Sequence, residues 1–261
     1  MMKLFLSVIT VSLNSEVTIE KTIQSVLNQN FTSFEYIIVD GNSSDNTIKI
    51  IKKYESKFHQ KNIQFTWISE PDSGIYNAWN KGLKLAKGNW ISFLGSDDIY
   101  LDNVLEKYAS VILANQNADF IHSKVKLMDK NKVKFIFSDT WKWTEFRRYM
   151  KIAHVGSFHN RKYFEKYGNF NEKYKIVGDY EMLLRAKDTL KTVFIDEFTA
   201  EMNDGGVSNQ NVVRAFSEAR IAKISTVHVL KPIAYFDFYF SLLKYYMSSF
   251  LKKMNLNLRK K

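Results

Sequence analysis

The stretch from Glu70 to Asp98 constrains the fold more than any other part of the chain. A polar turn, Glu70-Pro71-Asp72-Ser73-Gly74, leads into a helical segment. In it Ile75, Ala78, Trp79, Leu83 and Ala86 fall close to one apolar face. Gly88 breaks that helix, and Trp90-Ile91-Ser92-Phe93-Leu94 reads as a short buried strand. The strand runs out into Gly95-Ser96-Asp97-Asp98. Adjacent carboxylates just past a buried strand repel each other, and water, a cation or a hydrogen-bond donor must offset the repulsion. In an open α/β sheet, ligands bind beyond the carboxyl ends of the strands, which is where this acidic pair falls.

The residues before this stretch have the same rhythm. Leu4 to Val11 is a continuous apolar run with β-branched residues, the mark of a central parallel strand. A helix is expected over Val17 to Leu27, with Ile19, Ile23, Val26 and Leu27 on one face. Glu35 to Asp40 reads as a second strand, and Asp45 is placed to cap a helix from Thr47. Ile63 to Ser69 reads as a third strand. This β-α-β-α-β-α-β alternation predicts an α/β fold: a mostly parallel sheet with helices on both faces. The loop after the first strand, Thr10-Val11-Ser12-Leu13-Asn14, holds no glycine, and no Walker A sequence occurs. A dinucleotide-binding Rossmann enzyme and a P-loop NTPase are therefore not expected.

Beyond Asp98 a helix is expected over about Asn103 to Asn115, then a strand from Phe120 to Leu127 and a hairpin turn into Val133 to Phe137. A short basic helix is expected over Thr144 to Lys151, an extended segment from His154 to Asn160, and a helix from Arg161 to Tyr167 that stops at Gly168. A further helix starts at Gly178, and Val193-Phe194-Ile195 reads as a strand. Asn203-Asp204-Gly205-Gly206-Val207-Ser208 is a glycine-rich loop, and the remainder is helical and aromatic.

Composition narrows the partners. The 261 residues suit one large domain or one domain with an appendage. No cysteine is present, which excludes disulfides and thiolate metal sites and is compatible with a reducing cytosol. A formal charge of +11 favours anionic partners (nucleotides, nucleic acid or anionic lipid), or marks only a basic surface. The N-terminus resembles a signal peptide superficially, but polar residues follow a short apolar run and no small-residue cleavage site is evident, so a first strand is expected. No stretch of about 18 apolar residues occurs, so no transmembrane helix is expected.

Fragments spread along residues 4–210 resemble the family 2 glycosyltransferases of the GT-A fold, especially those making bacterial surface polysaccharides. In order, they are Ser7-Val8-Ile9-Thr10, Val39-Asp40-Gly41-Asn42-Ser43-Ser44-Asp45-Asn46-Thr47, Glu70-x-Asp72-x-Gly74-Ile75-Tyr76-Asn77-Ala78-x-Asn80-Lys81-Gly82, Phe93 to Asp98, and Gly178-Asp179-Tyr180-Glu181-x-Leu183-Leu184-Arg185. The resemblance implies a nucleotide-sugar donor, most often a UDP-sugar. It implies that Asp40 accepts from the base N–H of uracil, that Asp72 and Asn80 line the ribose and diphosphate side, and that Thr10, Asn14 and Ser96 belong to the same donor site. Gly95-Ser96-Asp97-Asp98 stands where the family has its D-x-D metal motif, with Gly95 in place of the first Asp. Asp97 is then the expected ligand of a divalent cation (Mg²⁺ or Mn²⁺), with Asp98 supporting it. Leu13 stands where an aromatic commonly stacks on the base.

By the same resemblance Asp179 is the catalytic base of an inverting enzyme, with Glu181 the runner-up. His154 is implied to contact phosphate or acceptor, and the loop with Gly205 and Gly206 to lie near the diphosphate. The implied acceptor is lipid-linked or a polysaccharide, at the inner face of the cytoplasmic membrane. Residues 1–210 would form the catalytic domain, 1–100 its nucleotide-sugar half and 101–210 its acceptor half, with 211–261 a helical membrane-association segment.

In that last segment Ile233, Phe236, Phe240, Leu243, Met247, Phe250 and Met254 share one helix face, and Lys244, Lys252, Lys253, Arg259, Lys260 and Lys261 add positive charge. Such a helix suits an anionic membrane interface, or packs on the catalytic domain or a second subunit. A same-fold nucleotidyltransferase and a non-catalytic nucleotide-sugar-binding or scaffold protein are the alternatives. A nucleic-acid partner rests on charge alone and is not expected.

Overall fold

The computed structural model describes residues 6–206 and 211–258, the side chains at 249 and 252–258 excepted. Leu4, Phe5, Val207, Ser208, Arg259, Lys260 and Lys261, and the side chains of Lys252, Lys253 and Met254, lie outside the described residues.

The first half builds the expected unit. Strands β1 (Leu6–Ser12), β2 (Phe34–Asp40), β3 (Gln64–Ser69) and β4 (Trp90–Gly95) pair in parallel in the order β3-β2-β1-β4. Helices α1 (Ile19–Leu27), α2 (Thr47–Lys52), α3 (Glu55–Gln60) and α4 (Ile75–Leu85) make the crossovers. The strands alternate between two buried faces. Leu6 and Val8 of β1 and Tyr36 and Ile38 of β2 enter one core with α1. Ile9, Val11, Ile37 and Val39 enter the other with α4. Burial of this kind contributes about 25 cal/mol per Å² of apolar surface and dominates the fold's stability. On α4 the ring of Tyr76 is buried where Ile75 was expected to be, and Ile75 is exposed. Gly82 of α4 lies against Ile9, and a Cβ there would sit 2.5 Å from the Ile9 side chain, so helix and sheet approach closely.

The second half mixes directions. The sheet continues β4-β8-β6-β9-β5, with β7 paired to β6. Its strands are β5 (Ile99–Tyr100), β6 (Phe120–Asp129), β7 (Lys132–Phe137), β8 (Phe158–Asn160) and β9 (Thr192–Asn203). Only β6 and β9 run parallel. Strand β9 extends well past the expected Ile195 because a register shift turns Asp196 and Glu197 outward, after which pairing resumes as far as Asn203.

Helices α5 (Val104–Ala114), α7 (Arg161–Tyr167) and α8 (Gly178–Leu184) lie close to their expected positions. Helix α6 (Trp143–Phe146) is far shorter than the Thr144 to Lys151 expected. The carbonyls of Arg147 and Arg148 accept from the Tyr180 hydroxyl and the Lys223 ammonium, so the chain leaves the helix there. Helices α9 (Val212–Val227) and α10 (Lys231–Leu258) end the chain. Ala222 of α9 is buried in the second core, so the segment after residue 210 begins packed on the body.

Candidate active site

The loops at the carboxyl ends of β1, β2 and β4 meet. After β1, the Asn14 amide donates to Ser43 Oγ at 2.8 Å, and Asn14 Oδ1 accepts from the Ser44 amide at 2.9 Å. The Ser15 and Ser96 hydroxyls lie 2.8 Å apart, which joins the β1 loop to the acidic turn after β4. Asn14 and Ser96 are therefore at the site, but the Asn14 side-chain oxygen is committed to holding the loops together.

The acidic pair is organised around the missing side chain of Gly95. A Cβ on Gly95 would lie 2.6 Å from Asp98 Oδ2 and 3.1 Å from Asp97 Oδ1, so both carboxylates converge on that space. Asp98 accepts from the Gly95 amide at 3.2 Å and from the Asn203 amide at 3.0 Å. Burial first, and then the neighbouring Asp97, push its carboxyl up to about 7; burial also raises Asp97. The Asn203 contact ties the end of β9 to the pair, and Asn203 Oδ1 in turn accepts from the Gly205 amide at 3.3 Å. Among the described residues no group of three or more His, Cys, Asp or Glu gathers as a metal cluster. The donor set still fits one hard cation held by Asp97 and Asp98, with substrate oxygens and water completing it.

Asp179 lies in the first turn of α8. Its Oδ1 accepts from the Tyr180 amide at 2.9 Å and from the Tyr76 hydroxyl at 3.1 Å, while Oδ2 has no protein hydrogen bond among the described residues. The same Tyr76 hydroxyl lies 2.7 Å from the Ile176 carbonyl, so its single proton is shared between the two acceptors, and the ring packs on Gly178. Tyr76 thus ties the start of α4 to the segment that carries Asp179. Glu172 reinforces this join by accepting from Asn77 at 2.9 Å and Asn80 at 2.8 Å. Tyr76 and Glu172 were not singled out from the sequence; the i, i+3 spacing of Asn77 and Asn80 was the available signal for a shared partner.

Several expected site residues are occupied elsewhere. Asp40 is fully buried and takes four hydrogen bonds, from Ser12 Oγ, the Ser43 amide, Ser43 Oγ and Ser69 Oγ. That fills a carboxylate's acceptor positions and leaves none for a base N–H. Thr10 is buried within the sheet and accepts from the Tyr36 hydroxyl. Asn80 is buried, bonded to the Phe170 backbone in both directions as well as to Glu172. Glu181 is buried, bidentate to Arg185 and bonded to the Thr226 hydroxyl, so it is not a free base.

His154 is buried against Trp79 and Phe93, with Nε2 3.0 Å from His159 Nε2. Burial lowers it to about 4, partly opposed by Asp179, so it stays neutral and out of reach of a phosphate. The open hollow beside Glu55, His59, Phe65 and Trp67 runs along the outer edge of the sheet and shares no residue with this site.

The model of the family described as "Glycosyl transferase family 2" matches residues 7–182. A "PGL/p-HBAD biosynthesis glycosyltransferase" of Mycobacterium bovis is 28% identical over 214 residues, covering 80% of this chain and 81% of the relative. The "UDP-Glc:alpha-D-GlcNAc-diphosphoundecaprenol beta-1,3-glucosyltransferase WfgD" of Escherichia coli is 34% identical over 128 residues, 49% of this chain and 48% of that one. Residues 1–349 of S. aureus TarS, solved with UDP-GlcNAc, superpose with a TM-score of 0.65 at 19% identity, covering 88% of this chain and 69% of that one. Against the longer TarS structure, this chain covers 41% of its length. At that identity the likeness establishes the GT-A fold alone.

Proposed function

The chain belongs to glycosyl transferase family 2, and from that premise we propose that it moves a sugar from a UDP-sugar to a lipid-linked or glycan acceptor in surface glycan synthesis, with inversion. What supports transfer, over mere binding of a nucleotide-sugar, is the Asp179 carboxylate, anchored through Oδ1 with Oδ2 left unbonded. In this reading Asp179 takes the proton of the acceptor hydroxyl as its oxygen bonds to the anomeric carbon. The bond from that carbon to the diphosphate breaks, and the nucleoside diphosphate leaves with the electron pair. Attack from the side opposite the leaving group inverts the centre. Asp97, supported by Asp98, would hold a divalent cation, which when bound neutralises charge on the diphosphate. The acceptor and donor classes are those named for the E. coli relative.

Two variants test this with one panel of nucleotide-sugars and acceptors. Asp179→Asn should keep UDP affinity and lose transfer by about 10²-fold or more. Asp97→Asn should lose the Mn²⁺-dependent part of UDP binding. Near-normal turnover in the first removes Asp179 as base, and unchanged Mn²⁺-dependent affinity in the second removes the metal assignment. Product NMR showing a retained anomeric configuration rules out the single-displacement chemistry. Binding without turnover of the unsubstituted chain over a broad acceptor panel favours a scaffold.

A further inference from the structure

We infer that Asp72, not Asp40, reads the donor's nucleobase and selects a ring that carries an N–H next to its carbonyls, uracil over cytosine. The inference rests on the nucleotide donor proposed above. The carboxyl end of β2 offers one backbone position without a side chain, Gly41. A Cβ there would sit 2.5 Å from Asp72 Oδ2 and 3.4 Å from Leu13 Cδ1. The carboxylate that occupies the space over the end of β2 therefore arrives from the loop after β3. Beside it lies an apolar side chain that is 58% exposed and free to pack on a ring face.

Asp72 is held in place without a ligand. Its Oδ1 accepts from the Gly74 amide at 2.8 Å, and Oδ2 has no hydrogen bond among the described residues. The loop is pinned at its start by the Glu70 amide on the Asp40 carbonyl at 3.0 Å, and from either side by two lysines. Lys81 Nζ lies 2.7 Å from the Pro71 carbonyl, and Lys175 Nζ 2.7 Å from the Ser73 carbonyl. Asp40, one position before Gly41, has its acceptor positions filled by three serines. It shapes the β2 loop, and the reading oxygen is the one that projects over Gly41. An anchored acceptor without a donor suits the N3–H of uracil. It faces the N3 lone pair of cytosine unfavourably, because both atoms are then acceptors.

Calorimetry with UDP and CDP in Mg²⁺ tests this. The unsubstituted chain should prefer UDP, and Asp72→Asn should reduce the UDP-over-CDP ratio by about 10- to 100-fold, since an amide can donate to the cytosine nitrogen. Gly41→Ala gives a second route, because the new methyl displaces the Asp72 carboxylate and should reduce the same ratio. A chain that binds neither nucleotide overturns the donor reading itself, and this inference with it. If the chain prefers UDP and folded Asp72→Asn and Gly41→Ala variants keep that ratio, only the assignment to Asp72 falls. Loss of the preference in a folded Asp40→Asn variant would return the role to Asp40.

Discussion

His122 sits on β6 between Phe120 and Phe194 with neither ring nitrogen hydrogen-bonded among the described residues. Burial lowers it from 6.5 to about 4. The folded state thus holds it neutral more strongly than the unfolded state does. Its contribution to stability is intact above about pH 6.5 and is lost as the pH falls toward 4. His154 adds to the same limb. His122→Phe removes two polar atoms that lack partners, and should raise stability by about 1 kcal/mol at pH 7. It should gain more at pH 5, flattening the acid side of the melting-temperature profile. An unchanged acid side would mean that His122 does not titrate in this window.

Helix α10 is joined to α9 by a buried ion pair. Lys223, 3% exposed, lies 3.1 Å from Asp237, 2% exposed, and Arg148 approaches the other Asp237 oxygen at 3.2 Å. Asp237 faces the body, together with Ala234 and Ser241 of the same helix stripe. Removing one partner leaves a buried charge uncompensated, so Asp237→Ala should cost about 3–5 kcal/mol in chemical denaturation. The double variant Lys223→Met, Asp237→Leu should recover most of that loss. A cost near zero for Asp237→Ala would mean that the pair is solvated and α10 is not docked.

At the scale of the molecule, exposed apolar surface gathers on α10. Beyond Leu242 every described side chain of α10 is exposed, including Leu243, Tyr246, Met247, Phe250 and Leu251. No described helix is long and apolar enough to cross a membrane. With a formal charge of +11, this supports the proposal that α10 lies on an anionic bilayer surface, where a lipid-linked acceptor diffuses. A truncation before α10 would strip Lys223 of its partner, so substitutions are the better probe. Serine at Phe236, Phe240, Leu243 and Met247 together should abolish pelleting with anionic vesicles at low salt and leave the melting temperature unchanged. Pelleting that survives, or a mass that falls from dimer to monomer on substitution, would assign this face to another partner.

The contiguous residues of this chain determined its parallel half. Strands β1, β2 and β4 announce themselves as continuous apolar runs, buried on both faces, and an acidic pair past a strand end marks a ligand edge, because both signals are local. The helix from Arg161 to Tyr167 and its stop at Gly168 were legible for the same reason. Strand β9 was only partly legible, since a register shift is set by its partner β6. Which carboxylate is free was decided by tertiary structure alone. Asp40, Asp72, Asp179 and Glu181 look equally eligible as letters. Their availability depends on donors that the fold brings from far along the chain: Ser12 and Ser69 to Asp40, Tyr76 to Asp179, Thr226 to Glu181. Asp98 meets the Asn203 amide 105 positions away in the same manner. A side chain's type is encoded where it stands, whereas its spare hydrogen-bonding capacity is what remains after every neighbour has been placed.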